Sequence, residues 1–282
     1  MELLPMSKLL AKAHGNYAVA AINCCNLENI RDVLETAEEL NSPIIIQAAP
    51  REALYANPKA FTEVVKAIGA NKSIRVAIHL DHGDSFEIAA KCVQGGFTSV
   101  MFDGSLLSFE DNIRISRQVT ELAHCTGISS EVELGTIGQT TEMGERVEKD
   151  YMTDPDLAKE FVEKTNPDCL AVAIGNAHGL YKFTPNLDFD RLQSIQSRVS
   201  VPLVLHGGTG LPAEQIRRAI RMGVAKVNFS TVTRVAWIKA VKKYLADNPE
   251  DLMTMNIIGA GSLAFKQTVR DCIGMVGSAN RL

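Results

Sequence analysis

Residues 201–231 read VPLVLHGGTGLPAEQIRRAIRMGVAKVNFST, and this stretch contains one complete strand–helix–strand unit. The apolar runs 201–205 and 225–229 predict two buried strands, because a strand covered on both faces is apolar almost throughout. A helix begins at Leu211-Pro212 and ends near Gly223, since proline favours the first helical turn and glycine the residue after the last. The unit predicts two parallel strands joined by a helical crossover.

The same order of signals extends over the whole chain. Eight short apolar runs occur, at residues 19–22, 43–46, 74–80, 99–102, 128–132, 169–174, 201–205 and 225–229. Helix-starting residues lie between them, among them Asn26, Asn57-Pro58, Ser108 and Thr153-Asp154-Pro155. Eight such units over residues 1–282 predict a single-domain α/β fold, the (β/α)8 TIM barrel. The alternative is a doubly wound open sheet, which more often has a glycine fingerprint after its first strand, and residues 19–26 contain no glycine.

The composition argues against several classes of partner. Lys and Arg total 29 and Asp and Glu total 33, so the formal charge is −4, and no basic block occurs. Nucleic acid and anionic membranes call for clustered cations, so neither is expected as a partner. No apolar run approaches the roughly 20 residues that span a bilayer, and the first residues lack a signal-peptide layout. The six cysteines form no CxxC pair, so we expect a reduced, cytoplasmic protein without disulfides.

Chemically capable side chains gather where the predicted strands end. They are Asn23, Asp81, His82, Asp103, Glu131, Glu133, Asn176, His178, His206, Asn228 and Ser230. The carboxyl ends of barrel strands converge on one face, and active sites are built there. The strand starts have no such enrichment. This asymmetry predicts an enzyme.

Three of the six histidines, His82, His178 and His206, end the third, sixth and seventh predicted strands. Three imidazoles that converge on one point are typical of a Zn²⁺ site that leaves room for a substrate. The alternative is that each histidine is a hydrogen-bonded residue of the barrel rim. His79 lies three residues before His82, and an odd offset along a strand predicts the opposite face, so His79 is interpreted as a packing residue.

Asp81 directly precedes one of these histidines, which suits a group that transfers protons at a metal-bound substrate. The alternative is a structural aspartate that caps the next helix. Asp84 or Ser85 can cap that helix instead, which favours the catalytic interpretation.

Two loops are typical of phosphate binding. The first, 206–210, reads His-Gly-Gly-Thr-Gly and leads into a helix, and the second, 228–231, reads Asn-Phe-Ser-Thr and does the same. Free backbone N–H groups at a helix start favour an anion, and the loops after the seventh and eighth strands hold phosphate in many barrels. A tight turn is the alternative explanation for the glycines.

The segment after the fifth strand, residues 135–149, is long, polar and contains several glycines. Barrel loops of this kind are often mobile lids, and Glu142 or Glu145 could move an acid–base group over the substrate. An ordinary solvated loop is the alternative.

Seven of these motifs, in order, resemble the class II, zinc-dependent fructose/tagatose-bisphosphate aldolase family over almost the whole chain. They are Ala21-Ile22-Asn23, Leu80-Asp81-His82-Gly83, residues 100–105 (VMFDGS), 131–138 (EVELGTIG), 175–181 (GNAHGLY), 206–210 (HGGTG) and Lys226-Val227-Asn228. Two departures occur, since Gly138 is followed by Gln139 instead of a second glycine, and residues 47–50 read Gln-Ala-Ala-Pro where many members have a serine near the phosphate.

The resemblance implies an active site for reversible aldol cleavage of a ketose 1,6-bisphosphate to dihydroxyacetone phosphate and an aldehyde. Zn²⁺ would be held by His82, His178 and His206, with Asp103 and Glu133 as alternative or second-layer ligands. Asp81 and the lid residue Glu142 would be the acid–base groups. The substrate would contact Asn23, Gly179, Gly207, Gly208, Thr209, Asn228 and Thr231. Some relatives also hold a monovalent cation (Na⁺ or K⁺) on backbone carbonyls near Gly179, and relatives are usually homodimers or homotetramers.

Two other functions stay open at this point. One is a Schiff-base aldolase on the same fold that uses Lys226, and the other is a sugar-phosphate-binding barrel that has lost catalysis. The sequence leaves the sugar open as well, and it offers Arg51, Arg234 and Arg281 as candidates for a second phosphate.

Overall fold

The computed structural model describes residues 1–138, 151–181 and 185–282. Its strands are β1 Glu2–Leu3, β2 Val19–Asn23, β3 Ile44–Ala48, β4 Arg75–Gly83, β5 Ser99–Phe102, β6 Ser129–Leu134, β7 Cys169–Val172, β8 Leu203–Leu205 and β9 Val224–Phe229. Strands β2 to β9 pair in parallel with their neighbours, and β9 pairs with β2, so the sheet closes. The predicted (β/α)8 TIM barrel is confirmed.

The helices alternate with these strands. They are α1 Met6–Ala13, α2 Leu27–Glu39, α3 Pro50–Ala56, α4 Pro58–Gly69, α5 Phe86–Gln94, α6 Phe109–Cys125, α7 Pro155–Thr165, α8 Phe189–Gln196, α9 Ala213–Arg221, α10 Thr231–Asp247 and α11 Thr254–Val276. The predicted helix starts are confirmed: Asn26, Asn57, Ser108 and Asp154 each accept backbone N–H bonds at a helix start. None of the helices in the described parts of the chain is long and apolar enough to cross a bilayer.

Two elements at the start of the chain were not predicted. Strand β1 pairs with β4, and α1 packs under the barrel. The apolar residues of α1 are buried in one cluster with inward-facing strand residues, namely Met6, Leu9, Leu10 and Ala13 with Val19, Ala21, Ile45 and Ala77. Helix α1 therefore closes the amino-terminal end of the barrel, and the carboxyl end stays available for a site.

Strand alternation sets which side chains face that open end. Val19 and Ala21 point into the barrel, so Asn23, two residues further along β2, points inward at the carboxyl end. In β4 the same alternation takes Ala77 to Asp81. The neighbouring residues on the outer faces, such as Ile22 and Ile78, pack in the second apolar layer under the helices.

Candidate active site

A pocket of about 490 Å³ opens at the carboxyl ends of the strands. It is lined by Asn23, Ala49, Asp81, His82, Asp103, Ile137, His178, Gly179, Gly207, Thr209, Asn228, Ser230, Thr231 and Arg234. Most of the side chains that the sequence singled out at strand ends therefore share one cavity. This is the face on which barrel enzymes build their active sites.

The three predicted histidines meet at one point of the pocket. His82 Nε2 lies 3.1 Å from His178 Nε2 and 2.7 Å from His206 Nδ1. Tetrahedral zinc with Zn–N bonds of about 2.0–2.1 Å would hold two nitrogens roughly 3.3 Å apart. The spacing is thus close to what a shared ion requires.

The other ring nitrogen of each histidine contacts an acceptor. Asp103 Oδ2 lies 2.7 Å from His82 Nδ1, the Ile137 carbonyl oxygen lies 3.1 Å from His178 Nδ1, and Glu131 Oε1 lies 2.9 Å from His206 Nε2. These contacts place a proton on each outer nitrogen, because a carboxylate or carbonyl oxygen can only accept. When all three rings are neutral, the inner nitrogens face one another as lone pairs, which a single cation can satisfy.

The charges around the trio agree with this demand for a cation. Burial opposes a charge on His82, but Asp81 and the hydrogen bond with Asp103 outweigh it and raise the pKa of His82 to about 10. Burial and the charge on His82 lower the pKa of His178 to about 4. The same two causes lower the pKa of His206 well below its usual value. The trio therefore attracts one positive charge, and its donor set fits Zn²⁺.

Asp103 and Glu133 lie beside His82, next to its outer nitrogen. Their ligand atoms form a second group with His82 that could hold an ion. Glu133 Oε2 is 3.7 Å from His82 Nδ1 and 4.0 Å from His206 Nδ1, and this buried atom has no hydrogen bond to any residue that the structure describes. Burial and the charge of Asp103 raise the pKa of Glu133. In this arrangement Asp103 orients His82, while Glu133 keeps an unused carboxylate oxygen next to the trio.

Asp81 projects into the same pocket. Its Oδ1 accepts a hydrogen bond from Asn228 Nδ2 at 2.9 Å, and its Oδ2 accepts one from Asn23 Nδ2 at 3.0 Å. Although burial opposes ionisation, the charges of His82 and His206 lower the pKa of Asp81. Ser85 caps α5, so the alternative in which Asp81 serves as the helix cap is wrong.

The sequence predicted that His79 and His82 point to opposite faces of the strand, and the structure differs in one respect. His79 is buried inside the barrel, where its Nδ1 lies 2.8 Å from Ser99 Oγ, so the packing interpretation holds. His82 nevertheless reaches the pocket, because its φ is +48° and the register between β4 and β5 shifts between Leu80 and Gly83. A left-handed residue at the strand end breaks the alternation on which the prediction depended.

The two predicted phosphate loops, 206–210 and 228–231, both line the pocket, and the second leads directly into α10. The backbone N–H groups of Gly207, Thr209 and Ser230 donate no hydrogen bond to a described residue. Helix α10 begins at Thr231, so the positive end of its dipole faces the same space. These N–H groups and the helix start form an environment suited to an anion.

Gly208 is the exception among the predicted substrate contacts. Its N–H donates to the Asn228 carbonyl oxygen at 3.0 Å, and it is not among the pocket-lining residues. A Cβ at this position would lie 2.8 Å from Val227 Cγ1 and 2.9 Å from the Asn228 oxygen. The glycine allows the loop to pack on β9, and a larger residue would disturb that packing without touching a ligand.

The three arginines offered for a second phosphate, and the lysine offered for a Schiff base, lie in different places relative to the pocket. Arg234 lines the pocket and donates to Ser230 Oγ, whereas Arg51 is exposed on α3 outside it. Arg281 lies 5.7 Å from the Tyr17 ring, beside the start of β2 at the amino-terminal end of the barrel. Lys226 is fully buried, with its Nζ 2.8 Å from Glu131 Oε2. A Schiff base on Lys226 is therefore disfavoured, because its amine lies below the pocket in an ion pair.

The predicted lid falls mostly outside the described residues, and so do Glu142 and Glu145. The two flanks of that segment lie next to each other, since the Thr136 N–H donates to the Tyr151 carbonyl oxygen at 2.7 Å. The first flank also holds His178, whose backbone N–H donates to the Gly138 oxygen at 2.8 Å. The described first flank is therefore anchored directly at the histidine trio.

Three residues that hydrogen-bond to the site side chains were not predicted in that role from the sequence. Glu131 was noted at a strand end, but its bond to His206 was not foreseen. Gln47 Nε2 donates to Asn23 Oδ1 at 2.8 Å, and Glu52 Oε2 accepts from Asn23 Nδ2 at 3.0 Å. Gln47 carried a signal, being a polar residue at the inward end of an apolar strand. Glu52 carried none, because a glutamate in a short helix is ordinary.

A closed barrel with ionisable side chains, and with loops suited to an anion, at its carboxyl face is typical of a TIM-barrel enzyme. The family model described as class-II fructose-bisphosphate aldolase matches residues 4–281. The chain therefore belongs to the class-II fructose-bisphosphate aldolase family, and the resemblance read from the motifs is confirmed.

Individual relatives agree. The chain is 42% identical over 287 aligned residues to the fructose-bisphosphate aldolase of Geobacillus stearothermophilus, covering 100% of this chain and 99% of the relative. The crystal structure of the YdjI aldolase from Escherichia coli K12 superimposes with a TM-score of 0.87 at 34% identity and covers 99% of each chain. Fructose-bisphosphate aldolase from Campylobacter jejuni has a TM-score of 0.82 at 21% identity, over 100% of this chain and 97% of that one, and supports the fold alone. These names support aldolase activity.

Proposed function

We propose that this protein catalyses the metal-dependent, reversible aldol cleavage of a ketose 1,6-bisphosphate of the fructose or tagatose type. The products are dihydroxyacetone phosphate and an aldehyde. The observation that carries the proposal is the meeting of three inner imidazole nitrogens beside the buried carboxylate of Asp81. Family membership and the names of the relatives support the same activity.

His82 Nε2, His178 Nε2 and His206 Nδ1 would hold Zn²⁺. Bound there, Zn²⁺ supplies a Lewis acid that polarises the ketone oxygen of the substrate. The outer hydrogen bonds that the three rings donate to Asp103, Glu131 and the Ile137 carbonyl fix the tautomer and direction of each ring. Glu133, beside the trio, would be an alternative metal ligand.

Asp81 takes the proton of the substrate hydroxyl as the carbon–carbon bond breaks, and it returns that proton in the aldol direction. The hydroxyl carbon becomes the aldehyde carbonyl, and the electron pair of the broken bond stays with the dihydroxyacetone phosphate half. That half then needs a proton on carbon, which we assign to Glu142, with Glu145 as the reserve. The two amide donors from Asn23 and Asn228 hold the Asp81 carboxylate in place for its step.

The phosphate of the dihydroxyacetone half would lie against two sets of free N–H groups. One set belongs to Gly207 and Thr209 in the loop 206–210, and the other belongs to the start of α10 at Thr231. Gly179 lines the same pocket. The monovalent cation near Gly179 and the homodimer or homotetramer remain predictions.

Cleavage of a small panel of ketose phosphates, followed together with zinc content, tests the proposal. We expect one ketose 1,6-bisphosphate to be cleaved at the highest kcat/KM and one zinc ion per chain. A protein that binds these sugars tightly but cleaves none would instead be the inactive binding barrel. A protein that neither binds nor cleaves them would contradict the family-based assignment of the substrate.

Arg234 is expected to bind a substrate phosphate, because it is the arginine of the three candidates that lines the pocket. Arg234→Ala should raise KM by roughly 10–100-fold with a small effect on kcat, as expected for a lost hydrogen bond to a charged group. Arg51→Ala, which removes an exposed arginine outside the pocket, is the matched control. If the KM effect disappears with a ketose 1-phosphate, Arg234 binds the second phosphate. Equal KM values in both variants would exclude Arg234 from phosphate binding.

A further inference from the structure

A carboxylate outside the predicted set, Glu52 of α3, contacts the residue that holds Asp81. We propose that Glu52 is a positioning residue: it fixes the Asn23 amide, and Asn23 in turn keeps the Asp81 carboxylate aimed at the substrate hydroxyl. The proposal rests on the proposed aldol function and adds to it a residue on a helix outside the barrel strands.

The Asn23 amide is the centre of this arrangement. Its Nδ2 donates to Asp81 Oδ2 at 3.0 Å and to Glu52 Oε2 at 3.0 Å, and its Oδ1 accepts from Gln47 Nε2 at 2.8 Å. Asn23 and Asp81 are each 5% exposed, and Gln47 is fully buried. Both hydrogens of Nδ2 thus have an acceptor, and water has little access to replace either bond.

Gln47 alone cannot fix the direction of that amide. An amide presents a donor on one side and an acceptor on the other, so joint rotation of Gln47 and Asn23 by half a turn would keep their mutual hydrogen bond. Gln47 Oε1 is buried and has no hydrogen-bond partner among the described residues, so no bond to that atom holds Gln47 in its present direction. Both carboxylates bonded to Nδ2 remove the ambiguity, because an ionised carboxylate only accepts. Asp81 can do so only while it is ionised, whereas Glu52 still directs Nδ2 when Asp81 holds the substrate proton.

Glu52 is itself held in place. Its Oε2 also accepts from the Ala49 N–H at 2.9 Å, at the start of α3, and its Oε1 lies 3.9 Å from Arg234 Nη2. The Glu52 side chain is 17% exposed. A fixed carboxylate on α3 therefore transmits a defined direction to Asn23 on β2 and through it to Asp81 on β4.

Glu52→Ala and Glu52→Gln separate positioning from simple helix capping. Glu52→Ala should lower kcat by about 10–100-fold with KM changed less than about threefold, since a misdirected catalytic group costs on that scale. Glu52→Gln should keep most of kcat, because its side-chain oxygen can still accept from Asn23 and Ala49. Ser108→Ala is the matched control, since it removes an exposed helix cap that has no link to Asn23. It should lower Tm with kcat unchanged.

A double-mutant cycle with Asn23→Ala closes the test. If Glu52 acts through Asn23, adding Glu52→Ala to Asn23→Ala should change kcat by less than about twofold. An equal kcat loss in both backgrounds, or unchanged kcat in folded Glu52→Ala, would overturn the positioning role and leave the aldol function standing. Failure of the parent protein to cleave any ketose phosphate would overturn both.

Discussion

Chelation of the divalent metal is expected to reduce aldol cleavage by about a thousandfold or more, and added Zn²⁺ should restore it. His82 Nε2 lies 3.1 Å from His178 Nε2 and 2.7 Å from His206 Nδ1, so the neutral rings turn three lone pairs toward one point, where a cation satisfies them. Lewis-acid stabilisation of several kcal/mol corresponds to about three powers of ten in rate. Release of dihydroxyacetone phosphate measures the rate, and elemental analysis measures the metal in the same sample.

Substitution of single histidines makes the same test specific. His178→Ala should lose both zinc and activity, because one of the three ligands is removed. His124→Ala is the matched control, since that histidine is exposed and contacts Asp168 Oδ2 at 3.1 Å far from the trio. If chelated protein stays active and borohydride traps substrate on Lys226, the metal assignment is wrong.

The barrel could be predicted from sequence because burial on both faces makes each of its strands a short apolar run. The runs at 19–22 and 99–102, for example, coincide with β2 and β5 to within one residue. Strand β1 and helix α1 were not predicted, because their positions depend on the closed barrel. Met6 and Leu10 of α1 are apolar like any helix face, and only the closed sheet provides the interior that they cover.

The site was predictable only as far as strand geometry determines it. Parallel strands bring their carboxyl ends together, so the meeting of His82, His178 and His206 follows from their positions in the sequence. Which nitrogen of His82 contacts Asp103 depends on side-chain torsions that no pattern encodes. The contact of Glu52 with Asn23 depends on where α3 packs after β3, and for that the sequence offers no signal.

Substitution of Asp81 tests the chemistry most directly, because Asp81 is assigned to proton transfer and not to holding the metal. Asp81→Ala should lower kcat by about 10²–10⁴-fold, the usual contribution of a general acid–base group. Zinc content and binding of dihydroxyacetone phosphate should be kept, because the hydrogen bonds of Asp81 go to Asn23 and Asn228. Its nearest oxygen is 3.9 Å from His82 Nε2, so Asp81 makes no hydrogen bond to the trio.

Asp84→Ala is the matched control for this substitution. Asp84 is an exposed carboxylate three residues further along, hydrogen-bonded only to Ser85 among the described residues, so its loss should leave kcat within about twofold. Asp81→Asn should be as slow as Asp81→Ala, because an amide cannot take the hydroxyl proton and would set its own N–H₂ against the donor of Asn23 or Asn228. If Asp81→Ala loses its zinc, Asp81 is a ligand or a structural support. If that variant keeps its zinc and turns over at the parent rate, another group must accept the hydroxyl proton.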